Sequence, residues 1–124
     1  MLQINTMQQF QGYLTGVESC IDHHAGKVRS TTVIIAGIVA AHATPGSVQV
    51  RTVGEKSVNV IWFKAAGGDF CLSYNHDSED IEIRRGRRTA GKRLLGINDD
   101  NFADDVHGWI QVLVTLFTTG VNNA

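Results

Sequence analysis

Between Val48 and Arg84, apolar and polar side chains alternate in short runs cut by turn signals, and this pattern constrains the fold more than any other feature of the chain. Val48 and Val50 alternate with Gln49 and Arg51. Residues 57–65 and 69–75 read as two further strands, and Ile81 and Ile83 alternate with Glu82 and Arg84. Gly54-Glu55-Lys56, Ala66-Gly67-Gly68 and His76 to Glu79 supply the turns. Connections this short leave no room for a crossover helix, so the strands form a four-stranded antiparallel meander. Such a sheet has one apolar face under helices and one mostly polar face.

The flanking segments read as helices. Over residues 6–25, Met7, Phe10, Leu14, Val17, Ile21 and His24 recur every three or four positions and line one face. Thr6 with Gln9 has the spacing of a capping box, and Gly26 suits the helix stop. Residues 31–43 begin with a β-branched run that also suits a strand, but their length and their alanines favour helix. Apolar residues lie all round this segment, which predicts a nearly enclosed helix. Gly12, Gly16 and Gly37 would let the two N-terminal helices approach closely. Residues 86–99 read as irregular. Asn101 then caps a last helix over 102–118, with Phe102, Val106, Trp109, Ile110, Leu113, Val114 and Phe117 as its buried stripe.

The predicted fold is therefore α+β: two N-terminal helices, a four-stranded antiparallel sheet and one C-terminal helix packed on the same face. A chain of 124 residues fits one domain spanning 1–124. It is 43% apolar and 19% charged, which favours folding over disorder. A formal net charge of −1 excludes a uniformly basic or acidic protein. The longest apolar run, Val33 to Ala41, is far short of the roughly 20 residues that span a bilayer, so no membrane partner is expected. Met1 to Gln11 lacks Lys and Arg and does not read as a signal peptide. The expected location is cytoplasmic, with Cys20 and Cys71 as reduced thiols.

The second strand breaks the one-sided pattern. Val58, Val60 and Trp62 occupy one face, and Ile61 and Phe63 the other. A face turned to water needs no such side chains, so Ile61 and Phe63 predict a self-association surface on the back of the sheet. This makes the chain a homodimeric, non-enzymatic interaction module, as expected of a small bacterial accessory protein. The alternatives for the same pattern are a β-bulge or cover from residues 86–99.

A second reading comes from the basic segment. Arg84, Arg85, Arg87, Arg88, Lys92 and Arg93 hold six of the eleven Lys and Arg residues and would attract phosphates of a nucleic acid. Asp77, Glu79, Asp80 and Glu82 lie just before them, and no aromatic residue is interleaved for stacking. Gly86-x4-Gly91-Lys92 matches the glycine and lysine spacing of a phosphate loop, but Arg93 stands where Ser or Thr would hold magnesium.

No catalytic or metal constellation is complete, so no cofactor is expected. Cys20, His23 and His24 have helical spacing, but zinc would need further ligands from elsewhere. His76-Asp77-Ser78-Glu79-Asp80 has the composition of an ordinary turn. Cys71 with His76 would be a nucleophile and base without a third, orienting group. A third reading, a small enzyme or ligand-binding protein, places a pocket between sheet and helices, lined by Trp62, Trp109, Tyr13 and Tyr74.

Overall fold

The computed structural model describes residues 2–13, 15, 28–53, 56–86 and 92–123. The expected α+β architecture is present: helices lie on one side of an antiparallel sheet. Among the described residues the sheet has six strands rather than four, in sequential order. They are β1 (Leu2–Gln3), β2 (Gln49–Val53), β3 (Lys56–Ala65), β4 (Gly68–Asn75), β5 (Asp80–Arg85) and β6 (Lys92–Ile97). β6 arises from the segment expected to be irregular. Its alternation is hidden by Gly96 and by a register shift: Ile83 pairs with Leu95 but Arg84 pairs with Arg93, which leaves Leu94 as an extra residue.

The β3–β4 hairpin sets the register of the centre. Ala65 pairs with Gly68, so the turn is only Ala66 and Gly67, both at positive φ (51° and 75°). Two such residues make the turn whose twist matches the flanking strands. Ala66 carries a Cβ into a conformation that disfavours it. Replacing it with Gly is expected to stabilise the fold by about 0.5–1 kcal/mol, seen as a higher urea midpoint with an unchanged slope.

That register decides which face is the core. Ile61 lies opposite Leu72 and Phe63 opposite Phe70, and Leu72 lies opposite Ile83. These residues face the helices, and Phe63 is only 2% exposed. The expected assignment of faces is thus reversed. Ile61 and Phe63 belong to the covered side, and the outer side of β3 carries Val60 and Trp62.

Among the described residues, four helices follow the chain order. Residues 7–13 form α1; Thr6 and Gln9 cap it reciprocally, each backbone N–H donating to the other's side chain at 3.1 Å. Phe10 and Tyr13 reach the core, but Met7, expected in the buried stripe, is 63% exposed. The rest of the predicted helix, residue 15 apart, lies outside the described residues, as do Gly16 and Gly26. A Cβ at Gly12 or Gly37 would meet nothing within 4 Å among the described residues, so neither glycine serves a close approach between described helices.

α2 (Arg29–His42) is helical throughout, including the β-branched run. It buries one side, Thr31, Ile35 and Val39, while Val33 is exposed, so it is not enclosed. Its own N-cap residue, Val28, provides no side-chain cap. Asp99, 68 residues away, does so instead: one carboxylate oxygen accepts from the backbone N–H of Thr31 at 2.9 Å and from its hydroxyl at 2.7 Å. An acidic side chain there also suits the helix dipole.

The C-terminal helix is two helices, α3 (Asp99–Asp104) and α4 (Val106–Thr119). Asn98, not Asn101, caps α3, and Asn101 completes the capping box as its third residue. Asp105 is non-helical (φ −155°, ψ 73°), and its carboxylate caps α4 by accepting from Gly108 N–H. This break shifts the phase of the apolar stripe: Val106 is exposed and Leu116 is buried. At the core's centre the rings of Phe63, Phe70 and Phe117 pack with centroids 5.1–5.6 Å apart.

Candidate interaction face of the sheet

All the described helices pack on the Ile61–Phe63 side, and none lies on the outer face, where Val60, Trp62 and Ser73 are half-buried and Cys71 is fully buried. The pairing register lays its residues out in rows. One row runs Trp62, Cys71, Arg84, Arg93 across β3 to β6; the next runs Val60, Ser73, Glu82, Gly96. Lys64 faces Asp69 across β3 and β4, and Asn75 faces Asp80 across β4 and β5. The centre is apolar or small (Val60, Trp62, Cys71, Ser73), and charges surround it.

The charges on β5 and β6 are organised by hydrogen bonds. Glu82 accepts from Asn75 at 2.8 Å, from Arg84 at 3.1 Å and from Arg93. Asp80 accepts from Arg93 at 2.8 Å and from the Ser78 hydroxyl at 2.7 Å. Asp80 and Glu82 are 7% and 5% exposed although no described helix lies above them. Their cover includes the arginines themselves, whose long side chains lie across the carboxylates. Gly96 makes the arrangement possible, because a Cβ there would meet Arg93 Nη2 and Asp80 Oδ2.

This network sets the local acid–base behaviour. Burial raises the Glu82 pKa, but hydrogen bonds from Asn75, Arg93 and Arg84 outweigh it and hold the carboxyl below its usual value. Burial works against the Arg93 charge, and Asp80 and Glu82 more than restore it. The Cys71 thiol is pushed up by burial; Arg84 pulls it down and Glu82 raises it, with a net rise. A thiol held protonated is a poor nucleophile.

The basic segment divides. Arg84 and Arg93 are tied to Glu82 and Asp80. Arg85 points to the helix side, where its guanidinium lies 5.1 Å from the Phe70 ring centroid and donates to Gly120 O at 2.6 Å. It thereby neutralises the C-terminal end of α4. Lys92 is exposed at the start of β6. Arg87 and Arg88 lie outside the described residues, as does most of the phosphate-loop match. That match is followed by strand β6 where a phosphate loop needs a helix.

The remaining candidates separate too. His76 to Glu79 form a turn in which Asn75 Oδ1 accepts from the backbone N–H groups of Asp77 and Ser78. Cys71 sits mid-strand and His76 lies past the strand's end; at about 3.3 Å per residue they are beyond hydrogen-bond reach. Among the described residues no group of three His, Cys, Asp or Glu is placed to hold a metal, and Cys20, His23 and His24 lie outside them. No described helix is long and apolar enough to cross a membrane. Of the expected pocket aromatics, Trp109 and Tyr13 pack on the core, and Trp109 Nε1 donates to Asn101 O at 3.0 Å. Trp62 instead lies on the outer face, and its buried indole N–H has no partner among the described residues.

Residues 10–100, which include α2, the strands β2 to β6 and the outer-face network, match the family described as Integron cassette protein VCH_CASS1 chain. The chain belongs to this family. The matched span of this integron cassette protein ends before α4. No curated protein matches the chain.

Proposed function

We propose that this chain is a small, non-enzymatic interaction module, of the kind expected of a bacterial accessory protein, that self-associates through the outer face of its sheet. The observation that carries the reading is the make-up of that face. Val60, Trp62 and Ser73, half-buried around the fully buried Cys71, form a weakly polar centre, and the charges around it are balanced: Lys64, Arg84 and Arg93 against Asp69, Asp80 and Glu82. A two-fold interface sets a patch against its own copy. A patch of one sign would repel itself; a balanced one is self-complementary, with a less polar core and a polar rim.

The far sheet edge supports face-to-face over edge-to-edge contact. On β6, Leu94 O accepts from Asn122 and Gly96 O from Asn101, at 3.3 and 3.1 Å. Side-chain amides thus occupy carbonyls that a docking strand would use.

Ser73→Arg tests the reading, because it places a long cation at the centre of the face without touching the core. By light scattering at micromolar concentration, the unmodified chain is expected to show the mass of two 13.5 kDa chains. The variant is expected to show the mass of one, with its melting temperature otherwise retained. Val60→Lys is the second probe of the same centre. If both variants keep the parent mass, the outer face is not the interface.

A further inference from the structure

A cleft of about 330 Å³ opens at the end of the outer face, between the loop that follows α2 and the β3–β4 hairpin. Trp62 and Gln49 contribute to its floor, and Thr44 to Ser47 form one wall. That wall is held rigidly against β3. Thr44 N–H donates to Lys64 O at 2.7 Å, Lys64 N–H donates to Ser47 Oγ at 3.0 Å, and Ser47 Oγ–H donates to Thr44 O at 2.6 Å. Gln3 Nε2 donates to Gly46 O from the other side.

Lys64 and Asp69 line the cleft with opposite charges. They are direct cross-strand neighbours, yet among the described residues their side chains make neither an ion pair nor a hydrogen bond with each other or with anything else. Neighbouring opposite charges on one sheet face can pair for a modest gain. Here they are left separate beside an indole and a preformed wall.

We infer that this cleft binds a small zwitterion, a free α-amino acid, with its carboxylate at Lys64, its ammonium at Asp69 and its side chain against Trp62. A ligand carrying both charges on one short frame satisfies both residues at once. A plain anion meets repulsion from Asp69, and a plain cation meets it from Lys64. The preformed wall reduces the ordering cost of binding. The inference does not rest on self-association, which would cover the same Trp62, Lys64 and Asp69 and so compete with the ligand.

The test is a thermal-shift screen of the full chain against each common L-amino acid at millimolar concentration, followed by calorimetry on those that shift it. Acetate and methylammonium serve as single-charge probes. At least one amino acid is expected to raise the melting temperature. Lys64→Ala and Asp69→Ala are each expected to weaken it by about tenfold or more, since each removes one charge-assisted contact. Both side chains lie outside the core, and the Lys64 latch uses backbone atoms, so both variants should fold. Repeating the calorimetry on Ser73→Arg separates this site from the association surface. No shift with any amino acid, affinity indifferent to both substitutions, or acetate binding as tightly as the amino acid would overturn the inference.

Discussion

Phe117→Ala is expected to lower the stability of the fold by about 4 kcal/mol, or roughly 15 °C in melting temperature. Phe117 is 1% exposed and meets Phe63 and Phe70 edge-on, at 5.1 and 5.3 Å between centroids and interplanar angles of 82° and 77°. Removing the ring takes away its transfer free energy and both edge-to-face contacts, and it leaves a cavity that β3 and β4 cannot close. The loss is a large share of the about 5–15 kcal/mol that holds a typical domain together. Urea unfolding of the variant measures it directly. A cost below about 1 kcal/mol would mean that α4 does not pack on the sheet through these rings.

Arg93→Ala is expected to cost about 2 kcal/mol near neutral pH, less than removing a fully buried partner because the Arg93 side chain is 38% exposed. The substitution strips a donor from both Asp80 and Glu82, which remain covered by other groups. Its pH dependence identifies the cause. In the parent chain the Glu82 pKa is depressed from 4.5, so its contribution is fully present above that value and lost as pH falls through the folded pKa. In the variant Glu82 loses part of that depression. The stability gap between the two proteins should therefore be widest near neutral pH and close as the carboxylates protonate in acid. A gap that stays constant with pH would show that Arg93 acts through packing and not through its charge.

The alternation from Val48 to Arg84 made the antiparallel sheet and its helical cover legible in the sequence, because both periods are written in single residues. Which face of β3 is buried was not legible from β3 alone, since both faces carry large apolar residues. The signal lay in the turn. Reading it as two residues, Ala66 and Gly67, pairs Phe63 with Phe70 and Ile61 with Leu72; reading it as three obscures that register. β6 was hidden by a bulge at Leu94 and by Gly96, whose missing side chain serves the ion pair rather than the strand. The split of the last helix depends on one backbone conformation at Asp105, which its residue type does not announce.

The candidate site was legible only in pieces. The dense arginines and the acidic residues before them were visible in the sequence. A two-strand ladder was needed to show that Arg84 and Arg93 are turned onto Glu82 and Asp80 while Arg85 faces the other way. Lys64 and Asp69 gave no signal, because residues five apart become neighbours only across the hairpin.

On the proposed reading, the outer face of the sheet joins two copies of this chain. Sedimentation equilibrium of the unmodified protein, over a concentration series at low and high salt, tests it most directly. A reversible monomer–dimer equilibrium is expected that weakens modestly with salt, because rim charges are screened while the Trp62–Ser73 centre is not. A single species with the mass of one chain, up to the highest concentration and at both salt levels, would contradict it.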